Sequence, residues 1–294
     1  MAKPMRILVL ILINYFDTMK PFCFADGEII PAQDARLHPA DLAVIRGYGI
    51  FDFFRTQDYQ PVFLEDYLDR FIGSAAKTFL PLAYSREELR AIISELIQKN
   101  DLEQGGIRMV LTGGISENHF SPATGKLFMF GEELSFPSEE KYQNGVKLLS
   151  VEYVRAIADI KTTNYTLPVW HSMHWNAQGA EDVIYHWDGL VSESSRSNFY
   201  IVKDGIISTP DRHILMGITR KHLLAIAGNV QVRPISLDEV WEADEAFISA
   251  TTKILLPITQ IDDRKVGSGK VGKVSLDLLE KFRDREKAYL QGNK

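Results

Sequence analysis

A single cysteine, Cys23, stands among the 294 residues, so no disulfide can form within the chain. A reducing, cytoplasmic compartment fits that usage. Positive charge is also short: 33 Lys and Arg against 39 Asp and Glu leave a net charge of −6. Nucleic-acid binders normally carry a basic domain or stripe, so that class of partner is argued against. Long hydrophobic runs are missing too. The most apolar stretch, Ile7 to Ile13 in "MAKPMRILVLILINYF", is far shorter than the ~20 residues of a membrane span, so no membrane partner is expected. Its basic start resembles a signal peptide, but cleavage near Ala25 would cut "FCFADGEII", which reads as strand, turn and strand. Residues 1–18 are therefore read as an extension, with Met19 as an alternative start. Internal repeats and low-complexity segments are absent.

What is present describes a globular protein. Hydrophobic residues make up 45% and charged residues 24% of the chain, enough for a real core. The length suggests about two domains at ~100–200 residues each. The first half mixes strands and helices. "YGIFDFFRT" and "PVFLEDY" look strand-like, and Leu64, Leu68, Phe71, Ile72, Ala75 and Phe79 keep helical spacing. Ser85 followed by Glu88 is a capping box that opens a second helix. "IRMVLTGG" alternates as a strand does, and "KLFMFG" is another strand. Residues 134–145, "LSFPSEEKYQNG", are polar and hold a proline and a glycine, as a linker would. The boundaries expected are a small α/β domain over 19–133, the linker 134–145, and a larger domain over 146–294. The second half reads as strands at Val146–Val151, Asp182–Trp187, Asn198–Lys203, Gln231–Pro234, Glu245–Ala250 and Ile258–Asp262. Helices are expected near Pro168–Gln178, over Thr219–Ala227 and at the C-terminus. The fold class is α+β in two lobes.

Two motifs mislead. "VGSGKVGKV" matches G-x-G-x-x-G at Gly267, Gly269 and Gly272, and nearly matches a P-loop, with Val274 where Ser or Thr must reach magnesium. Too little chain follows for the ~30-residue βαβ unit, so a glycine-rich turn before the last helix is expected. His171 and His174 share a helix face in "WHSMHW". Without a paired cysteine or a third regularly spaced ligand they read as ring packing, and no metal is expected.

The chemistry is carried by five segments taken in order: "DYLDRFIGSA" (66–75), "DIKTTNY" (159–165), "LVSESSRSNFYIVKDG" (190–205), "HILMGITRKHLLAIAG" (213–228) and "FISATTK" (247–253). Lys161 lies in an otherwise uncharged run, the setting that leaves an amine partly neutral and able to attack a carbonyl. Read alone, Glu193 is a strand-edge glutamate that would stand in solvent. Gly217-Ile218-Thr219 opens a helix whose first N–H groups have no internal partner, so an anion fits there.

The order and spacing of these segments resemble the fold-type IV pyridoxal 5′-phosphate (PLP) enzymes. That family includes branched-chain aminotransferases, D-amino-acid transaminases and aminodeoxychorismate lyases. The likeness covers residues ~20–290 and implies a two-lobed, D-amino-acid aminotransferase-like fold. By resemblance Lys161 is the catalytic lysine, Glu193 faces the pyridine nitrogen, and Tyr165 bonds the cofactor's phenolic oxygen. Arg70, Gly217, Ile218, Thr219 and Thr251 are the phosphate ligands it implies, with Thr252 on the substrate side. The chain departs from the family pattern in three places. The double glycine expected between the lysine and Asn-Tyr is missing, and Phe53 stands where the branched-chain group has glycine. In "ISENHFSP" the D-amino-acid enzymes' Arg-x-His trap keeps His119 but has Glu117 for the arginine. Arg196, with Arg108 and with Arg46 from a partner subunit, is expected to hold the substrate's α-carboxylate instead. A structural salt bridge is the alternative for each. The resemblance implies a PLP-dependent aminotransferase acting on an amino acid and a 2-oxo acid, at least a homodimer, leaning to the D-amino-acid subgroup. A branched-chain L-amino-acid enzyme, a lyase, or a PLP-binding protein without turnover are the alternatives.

Overall fold

Asp26 and Gly27 both take positive φ, 54° and 92°, which reverses the chain between β1 (Met19–Ala25) and β2 (Glu28–Pro31) as the Asp-Gly pair predicts. The computed structural model describes residues 19–292; the expected extension over residues 1–18 lies outside them. Two compact units are formed. The first comprises Met1–Ser135 and Thr162–Asn164, the second Phe136–Lys161 and Tyr165–Lys294.

The first unit continues through α1 (Leu42–Ile45), β3 (Gly49–Gln57), β4 (Gln60–Pro61), α2 (Leu64–Lys77), α3 (Arg86–Lys99), β5 (Gln104–Thr112) and β6 (Leu127–Glu132). Among the described residues its sheet has the order β2-β1-β6-β5-β3-β4. β5 buries Ile107, Met109 and Leu111 and leaves Arg108 and Val110 half-buried, the two-residue period expected of it. "PVFLEDY" is not a strand beyond Pro61: Phe63 turns into the left-handed region at φ 57° and α2 begins at Leu64. α2 buries Tyr67, Leu68, Phe71 and Ala75, each large side chain stabilising by roughly 1.5–3 kcal/mol. Phe79 leaves the stripe because Thr78 caps the helix and the chain turns at φ 55°, so its ring is 79% exposed. The capping box at Ser85 and Glu88 is present in both directions.

The second unit runs α4 (Glu139–Asn144), β7 (Val146–Glu152), α5 (Thr166–Ala177), β8 (Asp182–Trp187), β9 (Leu190–Ser194), β10 (Asn198–Lys203) and β11 (Ile206–Thr209). It ends with α6 (Ile218–Ile226), β12 (Val230–Val232), α7 (Leu237–Trp241), β13 (Glu245–Ala250), β14 (Ile254–Ile261), β15 (Arg264–Lys265) and α8 (Lys273–Gly292). The stretch read as a linker thus contains α4. The strands follow the order β12-β11-β10-β13-β14-β7-β8-β9, with β15 on β14. β9 pairs again with β10 at Glu193 and Asn198, so the strands from β10 through β13, β14, β7 and β8 to β9 close into a ring, with β11 and β12 branching from β10. Trp175 of α5 packs on Val183 and Tyr185 of β8. Glu245 accepts hydrogen bonds from the backbone N–H groups of Val274 (3.0 Å) and Ser275 (2.8 Å) and so occupies the start of α8. A side chain at Gly272 would collide with that glutamate. The glycine-rich turn therefore makes room for the protein's own carboxylate, where a nucleotide loop would hold a phosphate.

Candidate active site

Glu193 is the last-but-one residue of β9, at the point where the sheet closes, and only 4% exposed. A buried carboxylate needs partners. Its Oε1 accepts from Arg155 Nε at 2.9 Å and its Oε2 from the Leu215 backbone N–H at 2.8 Å. Burial pushes the carboxyl above the ordinary range, while Arg155, the Leu215 N–H and the Lys161 ammonium pull it back. The field of Lys161 is thus felt at Glu193, and Lys161 is itself half-buried.

Arg155 does more than pair with Glu193. Its Nη1 donates to the Ile160 carbonyl at 2.7 Å, and its Nη2 donates to that of Ala158. One guanidinium therefore ties the turn leading into Lys161 to the acid on β9. That turn includes Ile157 at φ 52°, a costly conformation for a β-branched residue (~1–3 kcal/mol) that surrounding contacts must hold. Sequence reasoning missed Arg155. Its only signal is a charge six positions before Lys161 in a largely apolar run, and nothing local shows that it folds back.

The Leu215 backbone links Glu193 to the anion-binding turn. Its carbonyl accepts from Asn198 Nδ2 at 2.7 Å while its N–H serves Glu193. Two residues on, Gly217 is the N-cap of α6 and offers no side-chain cap to the helix start. A Cβ at Gly217 would strike Asn198 Oδ1, so the close approach requires glycine. Ile218 and Thr219 are buried on the first turn. Thr251 and Thr252, both half-buried, sit in the turn between β13 and β14, and Tyr165 is the half-buried N-cap of α5. A buried acid for a pyridinium, an amine in its field and an uncapped helix start for a phosphate are the donor set that PLP requires.

The family comparison agrees with that donor set. The family model described as "Amino-transferase class IV" matches residues 49–261. The chain belongs to this family. Class IV aminotransferases are PLP-dependent enzymes that use amino acid and keto acid substrates. The aminotransferase is 31% identical over 270 residues to a D-alanine aminotransferase of Staphylococcus haemolyticus, covering 88% of this chain and 95% of that protein. It is 28% identical over 274 residues to a putative branched-chain-amino-acid aminotransferase of Methanocaldococcus jannaschii, covering 89% and 95%. Among solved structures, a branched-chain amino acid aminotransferase from T.th. with pyridoxamine 5′-phosphate superposes with a TM-score of 0.85 at 25% identity, covering 92% and 95% of the two chains. The two-lobed α+β fold is accordingly that of the fold-type IV enzymes.

Three of the arginines singled out in the sequence, Arg70, Arg108 and Arg46, lie in the first unit. Arg70 is engaged bidentately by the buried Asp52, at 2.9 Å through Nε and 2.6 Å through Nη2. Arg108 is held by Glu132 through Nε and, at 2.9 Å, Nη2, and its guanidinium lies over the rings of Phe51 and Phe53. Arg46 is exposed and donates to the Ile45 carbonyl. Arg196, in the second unit, differs from them. It is exposed between buried Ser195 and Ser197 and has no ion pair among the described residues. His171 and His174 pack around Trp170, with ring centroids 4.7 and 4.9 Å from it. No helix among the described residues is long and apolar enough to cross a membrane.

Proposed function

We propose that the enzyme is a D-amino-acid transaminase with an atypical carboxylate clamp centred on Arg196. The observation that carries the clamp is the contrast among the arginines: Arg108 and Arg70 are neutralised by their own carboxylates, whereas Arg196 keeps an uncompensated guanidinium three residues from Glu193. Arg108 and a partner subunit's copy of position 46 are auxiliary in this reading. The 31% identity to D-alanine aminotransferases supports the subgroup.

In this reading Lys161 Nζ would hold the cofactor and, as acid–base group, would move the proton that leaves the substrate's Cα. Bound PLP supplies an electron sink for the charge that develops at Cα. Glu193 would accept from the pyridine N–H and favour its protonated form, while Arg155 and the Leu215 N–H hold the carboxylate in place. The N–H groups of Ile218 and Thr219 and the Thr251 hydroxyl would bind the phosphate, and Tyr165 would meet the phenolic oxygen; Arg70, also expected there, is engaged by Asp52. Thr252 faces the substrate. The working form is a homodimer in the cytoplasm. Support for a second copy comes from Val169, Trp170 and Met173, large apolar side chains exposed together on α5, and light scattering of the purified enzyme tests it.

Paired D- and L-amino acids in a 2-oxoglutarate-coupled assay test the subgroup. Turnover of D-alanine over L-leucine is expected. The reverse preference would establish the branched-chain reading, which the TM-score of 0.85 to a branched-chain enzyme favours. Arg196→Ala is expected to raise KM for the amino acid by about 10- to 100-fold and to leave the Kd for PLP unchanged. Equal losses in both would remove Arg196 from the clamp.

A further inference from the structure

We propose that the buried ion pair between Lys253 and Asp182 is a positioning device that sets the phosphate-side turn at Thr251 and the substrate-side turn at Arg196 together. Asp182, the first residue of β8, is wholly buried and offers its carboxylate in three directions. Oδ1 accepts from the Val183 N–H at 2.8 Å and from Ser195 Oγ at 2.5 Å, and Oδ2 faces Lys253 Nζ at 3.3 Å. Lys253, 6% exposed, also reaches Ser197 Oγ at 3.5 Å. Both serines that flank Arg196 are therefore bound to this pair, one to each partner.

The other end of the lysine is fixed as well. Its carbonyl accepts from Tyr142 Oη of α4 at 2.8 Å, so residue 253 is anchored through side chain and backbone. The next residue, Ile254, sits at φ 56° and is 8% exposed. A β-branched residue in the left-handed region keeps that conformation only where its surroundings impose it. The anchored lysine imposes it, and with it the shape of the Thr251–Lys253 turn. Two charges buried together gain little over well-packed apolar side chains of similar volume. What apolar replacements cannot supply is direction, and here one carboxylate orients a strand start and two turns.

The inference rests on the proposed roles of Thr251 in phosphate binding and Arg196 in the clamp. It is tested with the full-length chain carrying Lys253→Met, Asp182→Asn, both together, Thr251→Val and Arg196→Ala. Kd values for inorganic phosphate and PLP are measured on cofactor-depleted protein by titration calorimetry, with the melting midpoint and the amino acid KM alongside. Each single change at the pair leaves an unpaired buried charge and lowers the melting midpoint. The double variant relieves that defect, so its midpoint returns close to the wild-type value. Its phosphate affinity stays about 10-fold weak and its KM stays raised by a similar factor, the scale at which outer-shell partners act elsewhere. Phosphate and amino acid affinities that recover together with the midpoint would overturn the proposal, since the pair would then be only structural. Thr251→Val with unchanged phosphate affinity would instead remove the phosphate reading, and the KM of the double variant would still judge the pair against Arg196→Ala. If Lys253→Met does not fold, the double variant carries the comparison.

Discussion

Glu193 is a buried acid held by two donors, the Arg155 guanidinium and the Leu215 N–H. Losing Arg155 would leave its carboxylate with one backbone donor in a site of low polarity. Arg155→Met is therefore expected to destabilise the cofactor-free enzyme by about 3–5 kcal/mol, the usual scale for breaking a buried pair, measured as a shift in urea midpoint. The raised carboxyl makes a second expectation at the same residue. Between the ordinary carboxylate pKa and the raised value, the folded chain keeps a proton that the unfolded chain has lost. Stability owed to Glu193 thus falls as pH rises through that window and levels off above it. Glu193→Gln should remove that slope from a series of urea midpoints against pH, and an unaltered slope would show that another group titrates there. Under the proposed role, a cofactor pyridinium would add a cation beside the carboxylate and favour its ionised form.

Helix starts differ in what fills them, and an unfilled start offers its N–H groups to an anion. α3 and α7 are closed by serine–glutamate capping boxes, and α8 by the carboxylate of Glu245. α6 opens on a glycine that offers no side-chain cap and leaves space for Asn198. Gly217→Ala should displace Asn198, release the Leu215 carbonyl and weaken PLP binding by about 10-fold or more, read by titration of cofactor-depleted enzyme. Gly73 is the control within the same chain. It lies inside α2, and a Cβ there meets nothing within 4 Å. Gly73→Ala should leave PLP affinity unchanged and add about 0.5–1 kcal/mol of stability. A loss of affinity in both variants would mean that the glycines act through general stability.

At the scale of the whole molecule, the second unit gathers Lys161, Arg155, Glu193, the α6 start and the Thr251–Lys253 turn. Cofactor binding should therefore be coupled to the unfolding of that unit. PLP at 100 times its Kd is expected to stabilise the enzyme by about 2.7 kcal/mol, visible as a raised melting midpoint. Hydrogen exchange should show the added protection in β8–β10 and the β13–β14 turn. Protection spread evenly over the chain, or confined to the first unit, would count against this placement.

Much of the architecture could be read from local pattern. The Asp-Gly turns at 26–27 and 188–189, the Ser85–Glu88 capping box and the alternation along β5 depend on neighbours a few positions apart, and physical periodicity shows them directly. Lys161, Glu193 and Gly217 could be proposed from the sequence because residue type and order carry the resemblance to the family. The ion pairs could not. Arg70 with Asp52, Arg108 with Glu132, Arg155 with Glu193 and Lys253 with Asp182 lie 18, 24, 38 and 71 residues apart. A charge carries no periodicity that names its partner, and only folding, by laying a helix on a sheet or setting strands side by side, brings such partners within reach. Residue type, order and short-range period can be read along the chain because each depends only on near neighbours. Which charges pair with one another is settled only on folding, because the partners lie far apart in the chain.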